Sequence, residues 1–318
     1  MNLVTVCITT YNRKALLPLT LKSILSQTYK NLEIIIVDDC STDGTQDFVE
    51  NQLLKLDKRI RYIKHAKNKG LAAARNTAIK NSKGKYFTFC DDDDIWREEF
   101  IEVFIEKSKY YNDTYSFCAS IISNKKAVKG ILAPFKELLI RGYTPPVASQ
   151  FYFTDNLKKV GGYDEKIKSG VDHDLWLTLG HNEYKLIWIN QELSKENRIQ
   201  SDGRMTFNFN KRVNGIRCAI NIWENRIENS FGNNFVKCLE KNYEYNTYKK
   251  FILFSLKENK FSDVFNYWKK LPKILFLLDL KRYIISKFNN SSLLLHPNFE
   301  GCRNNILKGE YNIEILRE

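Results

Sequence analysis

The stretch "KYFTFCDDDDIW", residues 85–96, sets four carboxylates directly behind an apolar, aromatic run and directly before another apolar pair. A short run rich in Tyr, Phe and Thr reads as a strand. Adjacent carboxylates at a strand end repel one another unless a cation or ligand answers them, which raises the question of what faces Asp91, Asp92, Asp93 and Asp94. Working outward, the run proves to be the fourth of its kind. "LVTVCITT" precedes a segment with Leu17, Leu21, Ile24 and Leu25 on one helical face, and "LEIIIV" precedes a second helical pattern near residues 45–56. "IRYI" precedes the alanine-rich "LAAARNTAIK", and "KYFTFC" precedes a helix with Phe100, Ile101, Phe104 and Ile105. That alternation means βαβ units and a largely parallel sheet. Near-continuous apolar runs are what strands covered on both faces look like. Right-handed crossovers bring the C-terminal strand ends to one edge, where open α/β sheets bind ligands, and the four aspartates fall there.

With 318 residues, 43% of them hydrophobic, the chain has material for a large domain and a smaller appendage. From about residue 205 the texture becomes Lys-rich, aromatic and helical in spacing, so an α/β domain over 1–205 and a basic helical region over 206–318 are expected. The formal charge of +13 points to an anionic neighbour: nucleic acid, an anionic membrane surface or a phosphorylated substrate. Nucleic acid is the weakest of these, because the acidic clusters would repel its phosphates and no binding motif for it occurs. Seven scattered cysteines without a Cys-x-x-Cys pair argue against a disulfide framework or zinc ribbon and fit a reducing cytoplasm. No basic leader opens the chain and no run of about 18 apolar residues occurs, so export and a membrane span are not expected. The absence of Gly-x-Gly-x-x-Gly behind the first strand disfavours a dinucleotide-dependent dehydrogenase.

Two further polar clusters share the edge. "VDDCSTDGT" (37–45) contains a turn and helix-capping hydroxyls, which account for Ser41, Thr42, Asp43 and Gly44 but leave the pair Asp38 and Asp39 in need of a ligand or cation. "NKGLAAARNTAI" (68–79) opens a helix whose N-terminus, with Arg75 one turn in, suits an anion such as a phosphate. The acidic run beside that anion would then require a divalent ion between the two negative sets. Hard oxygen ligands suit Mg²⁺ or Mn²⁺.

In this order and spacing, "VCITTYNR", "IIIVDDCSTDGT", "NKGLAAARN", "YFTFCDDDDIW" and "VGGYDEKIKSGVDHDLWLTL" resemble the family 2 glycosyltransferases, over about residues 3–205. The resemblance implies an α/β fold of the GT-A type, a Rossmann-like sandwich with a mostly parallel central sheet. It implies Thr9 and Tyr11 framing a nucleotide, Asp39 reading the base edge and Arg75 beside the diphosphate. Its aspartate motif maps to Asp91, Asp92 and Asp93, with Asp93 as direct ligand of Mn²⁺ or Mg²⁺, Asp91 or Asp92 touching the ribose or metal-bound water, and Asp94 supporting the loop. The family's base is the aspartate of a Glu-Asp pair at a helix start, which falls on Asp172 of "GVDHDLW". A base there would take the proton of an acceptor hydroxyl attacking the anomeric carbon, with inversion. The competing reading is that Asp172 and Asp174 only favour a helix N-terminus.

Two positions depart from the family pattern. Val171 replaces the glutamate of the pair, and Gln200 stands where many relatives have a histidine after an arginine, here Arg198. His65, His173, His181 and His296 show no ligand spacing, and "GGYDE" (161–165) reads as a structural turn. The implied activity is metal-dependent, inverting transfer from a nucleoside-diphosphate sugar, UDP-linked in the first instance, to a hydroxyl of a bacterial glycan or lipid-linked saccharide. The implied location is the cytoplasm, with "VFNYWKKLPKILFLLDLKRYIISKF" (264–288) either packing on the catalytic domain or lying on the anionic inner face of the membrane. The alternatives are a catalytically inactive nucleotide-sugar-binding scaffold, suggested by the two departures, and a nucleic-acid-binding module, suggested by charge alone.

Overall fold

Strand β1 (Val4–Thr10) is buried along its whole length, as is β2 (Leu32–Asp38), which is why both read as unbroken apolar runs. They belong to a computed structural model that describes residues 1–121, 130–132, 147–196 and 209–233, with isolated positions between Val236 and Asp263. Between and after them come α1 (Leu17–Leu25), α2 (Thr45–Phe48), a π-helical stretch (Val49–Leu53), α3 (Leu54–Leu56), β3 (Ile60–Lys64) and α4 (Leu71–Asn81). The chain continues through β4 (Tyr86–Asp91), β5 (Asp94–Trp96), α5 (Phe100–Ser108), β6 (Tyr115–Ile121), β7 (Gly130–Leu132) and β8 (Gln150–Phe153). It then forms α6 (Thr154–Lys159), α7 (Val171–His181) and β9 (Lys185–Glu196).

Among the described residues these strands make one mixed sheet in the order β3-β2-β1-β4-β8-β6-β9-β5, with β7 alongside β9. The block β3-β2-β1-β4 is parallel throughout, whereas β8 joins β4 antiparallel. Register decides what meets at the ligand edge: Thr10 lies opposite Asp38, and Thr9 opposite Asp91.

One sheet face takes Val4, Val6 and Ile8 of β1 with Ile34 and Ile36 of β2 into a core shared with Leu17, Leu21 and Ile24 of α1 and Phe100 and Phe104 of α5. Trp96 stacks on Phe100 with centroids 4.0 Å apart, and Phe104 stacks on Phe151 at 5.1 Å. Burial of each such ring contributes about 1.5–3 kcal/mol. The other face is covered by α4, whose Ala72, Ala73, Ala74 and Ala78 are all buried and allow the helix to approach β1 and β2 closely. At the strand entry, Gly84 meets β1 so tightly that a Cβ would lie 2.6 Å from the Thr5 amide nitrogen. The Glu33 carboxylate, buried beneath it, accepts bonds from Thr5 Oγ1 (2.6 Å) and the Lys83 and Gly84 amides (2.5 and 3.1 Å).

The chain divides into two units near Ser201. In the second, α8 (Phe209–Phe231) buries Ala219, Ile220, Trp223 and Ile227, at helical spacing, and Arg226 lies over the Trp223 ring at 4.5 Å. Arg198, Gln200, His296 and the basic segment 264–288 lie outside the described residues. Among those described, no helix is long and apolar enough to cross a membrane, and Cys7, Cys40, Cys90, Cys118 and Cys218 are free thiols.

Candidate active site

The four aspartates do not all end one strand. Asp91 closes β4, Asp92 and Asp93 make a turn, and Asp94 opens β5, so the chain reverses within the run. The reversal sorts the carboxylates. Asp92 and Asp94 are only 2% and 5% exposed, whereas the Asp91 and Asp93 side chains retain 32% and 13%. Asp92 accepts bonds from Arg13 Nη1 (2.5 Å) and Thr10 Oγ1 (2.9 Å), and its carbonyl accepts from Thr20 Oγ1 (2.9 Å). Burial pushes its carboxyl up to about 7, with Arg13 and Thr10 pulling the other way and the flanking aspartates adding to the rise. Asp92 is therefore an inward anchor, which corrects the expectation that it touches the donor: its oxygens are committed to the loop behind β1. Arg13 also reaches Asp93, Nη2 donating at 3.2 Å.

The pair Asp38 and Asp39 is likewise answered from inside. Asp38 accepts the Ser41 amide (2.7 Å) and the Tyr62 hydroxyl (2.6 Å). Asp39, 4% exposed, accepts the Lys69 amide at 2.8 Å and the Gly70 amide at 2.7 Å and lies 2.7 Å from His65 Nδ1. The anion at the entrance of α4 is thus the protein's own Asp39, so the repulsion in this pair needs no ligand. Gly70, with φ at +95°, makes the turn that points its amide there.

Arg75 differs most from expectation. Its side chain is 1% exposed, with Nη1 donating to Asp172 at 2.5 Å and Nη2 to Asp91 at 2.9 Å. The guanidinium carbon lies 5.4 Å from the centroids of both Phe89 and Tyr163. Arg75 is therefore not open to an anion at the edge, because two carboxylates and two rings enclose it.

Asp172 sits in the first turn of α7, behind Gly170 in a left-handed conformation (φ +76°). Its side chain is 23% exposed. Burial raises its carboxyl above the ordinary value; Arg75 opposes the rise and the charge of Asp91 adds to it. Such a group can accept a proton more readily than a solvated carboxylate. Val171 beside it is turned inward, and Asp174 accepts the Asp164 amide at 3.1 Å. Thr9 is buried at the end of β1, and Tyr11 beyond it is 47% exposed.

Sequence reasoning missed Arg13, Asn76 and Tyr163. Asn76 grips the Tyr163 backbone from both sides, accepting its amide (2.8 Å) and donating to its carbonyl (2.9 Å), which holds the Tyr163 ring on Arg75. Only the position of Arg13, three residues past the β1 end, hinted at a role. Among the described residues no cluster of three or more His, Cys, Asp or Glu side chains is arranged around a common point. Asp91 and Asp93 offer two outward carboxylates, a donor set that fits an ion completed by ligand oxygens better than a closed protein cage. A cavity of about 590 Å³ lined by Lys85, Tyr86, Tyr111 and Phe153 lies at the opposite strand ends, remote from this cluster.

Known proteins agree with this geometry. Residues 5–154 match the Glycosyl transferase family 2 profile. An uncharacterized glycosyltransferase of Rickettsia conorii is 36% identical over 216 residues, 64% of this chain and 34% of that protein, so the chain spans about a third of that relative's length. The Escherichia coli UDP-Glc:alpha-D-GlcNAc-diphosphoundecaprenol beta-1,3-glucosyltransferase WfaP is 46% identical over 121 residues, 35% of this chain and 47% of that one. Among solved structures, the mannosyltransferase PcManGT of Pyrobaculum calidifontis, in complex with GDP-Man and Mn²⁺, superposes with a TM-score of 0.60 at 16% identity, over 96% of this chain and 88% of its own. The parallel block with its edge of aspartates is the GT-A architecture, and through residues 5–154 the chain belongs to glycosyl transferase family 2.

Proposed function

We propose that the chain is a metal-dependent, inverting glycosyltransferase that moves a sugar from a nucleoside-diphosphate donor, UDP-linked, to a hydroxyl of a bacterial glycan or lipid-linked saccharide. The UDP donor and the lipid-linked acceptor are suggested by the printed activity of WfaP, and a divalent ion by the Mn²⁺ bound to PcManGT. The observation that carries the reading is the bridge Asp172–Arg75–Asp91, which joins a carboxylate suited to proton acceptance to the outward aspartate of the acidic turn.

In this reading Thr9 and Tyr11 border the nucleotide, and Asp39 shapes the loop before α4. Asp91 and Asp93 would hold Mn²⁺ or Mg²⁺, which when bound stabilises charge on the departing diphosphate. The acceptor hydroxyl attacks the anomeric carbon, and its proton passes to the Asp172 carboxylate. The bond from that carbon to the diphosphate oxygen breaks, its electron pair leaving with the nucleoside diphosphate, and attack from the opposite side inverts the centre.

The test is UDP release from UDP-sugars by the purified chain with Mn²⁺ and an acceptor. Asp172→Asn should stop transfer while retaining UDP binding, and Asp93→Ala should weaken the Mn²⁺-dependent part of that binding. Transfer at the wild-type rate by either variant would refute the assignments. Val171, whose buried side chain leaves no acid beside Asp172, favours a second reading as a nucleotide-sugar-binding scaffold. UDP-sugar binding without turnover on any acceptor would decide for that reading.

A further inference from the structure

A fully buried arginine between two carboxylates, caged by two aromatic rings, is held in one orientation. Phe89 belongs to β4, two residues before Asp91, and Tyr163 is pinned to α4 through Asn76. The fork of the guanidinium spans from the β4 end to the first turn of α7, elements far apart in sequence and connected here by one side chain. An arginine that bound a diphosphate directly would present its N–H groups toward the ligand, and a side chain 1% exposed does not. We infer that Arg75 is a positioning residue, which sets the Asp172 carboxylate relative to Asp91, and is not the diphosphate's own cation. The inference rests on reading Asp172 as the base.

Lysine tests the fork without removing the charge, because a single ammonium on a flexible stem does not reproduce two directed bonds to separate carboxylates. Misplacement of a reacting group by about 1 Å costs on the order of 100-fold in rate. Arg75→Lys is therefore expected to bind UDP with Mn²⁺ within about threefold of wild type while its kcat, per UDP-binding site, falls about 100-fold. Counting sites by UDP binding separates positioning from mere stability, since a structural role would lower the number of sites and leave kcat per site intact. A loss of UDP affinity of about tenfold or more, which is about 1.4 kcal/mol, would assign Arg75 to the diphosphate and overturn the inference, as would an unchanged kcat.

Should Arg75→Lys fail to fold, Tyr163→Leu keeps every charge and removes one wall of the cage. It is expected to lower kcat per site about tenfold with UDP affinity held, because a loosened guanidinium no longer fixes the carboxylate; an unchanged kcat would again overturn the inference. A wild-type chain that binds neither UDP nor GDP sinks the functional reading and this inference with it, an outcome told apart because the wild type itself is then inert.

Discussion

Gly161 and Gly162 are adjacent, both with positive φ (+82° and +72°), and they should respond very differently to alanine. A Cβ on Gly161 would meet nothing within 4 Å, whereas one on Gly162 would lie 2.4 Å from Asn76 Oδ1. Alanine at Gly161 bears only the left-handed strain, about 1 kcal/mol. Alanine at Gly162 bears that strain and also drives the Asn76 amide away from Tyr163, breaking its two bonds to the Tyr163 backbone. At about 1 kcal/mol each these bring the total to about 3 kcal/mol. In urea unfolding the Gly162→Ala midpoint should fall well below that of Gly161→Ala, with unchanged slope, the difference amounting to about 2 kcal/mol. Because Asn76 holds the Tyr163 ring against Arg75, Gly162→Ala should also lose transfer activity under conditions where it remains folded. Equal stability for the two variants would refute the proposition that Asn76 clamps this turn.

Two further outcomes follow from the buried carboxylates. Asp39→Asn keeps the shape but sets an amide NH₂ against the backbone donors of Lys69 or Gly70, so it should lose about 2–3 kcal/mol by thermal or chemical unfolding; a loss below about 1 kcal/mol would mean that the carboxylate is not what holds the α4 entrance. For pH, the Asp172 carboxyl is raised by burial and must be ionised to take a proton, so kcat should fall as pH drops through its folded pKa, with the acid limb above the ordinary aspartate value of about 4. A kcat that is flat down to about pH 4 would exclude it as the base.

The first half of the fold was legible because β1, β2 and β4 are covered on both faces and their helices carry regular apolar stripes. Strand β8 was not, since four residues give too short a run, and β9 was not, since its exposed Gln191, Glu192 and Lys195 interrupt the apolar signal. The π-helical turn at Val49–Leu53 has no sequence signature. At the site, the residues of interest were legible as residue types at a strand edge, and Asp172 as an acid at a helix start. Their partners were not legible, because Arg13 and Asp92 stand 79 positions apart and Arg75 and Asp172 stand 97 apart, and only the folded sheet brings them together.

That gap changes the electrostatic argument from the acidic run. Read as sequence, the four aspartates and the pair at 38–39 appear to require an external cation to coexist. Folded, most of that charge is answered internally: Arg13 takes Asp92 and part of Asp93, Arg75 takes Asp91 and Asp172, and the amides before α4 take Asp39. The turn can therefore form without metal, since its anchoring carboxylate Asp92 is bound by Arg13, Thr10 and no outside group. A divalent ion has a narrower task, to join Asp91 and Asp93 to the oxygens of an incoming diphosphate. Ions of the Mg²⁺ kind are commonly held that way, by one or two carboxylates and the substrate's own phosphates. Metal affinity should then depend on the nucleotide, and by linkage the nucleotide's affinity should depend equally on the metal.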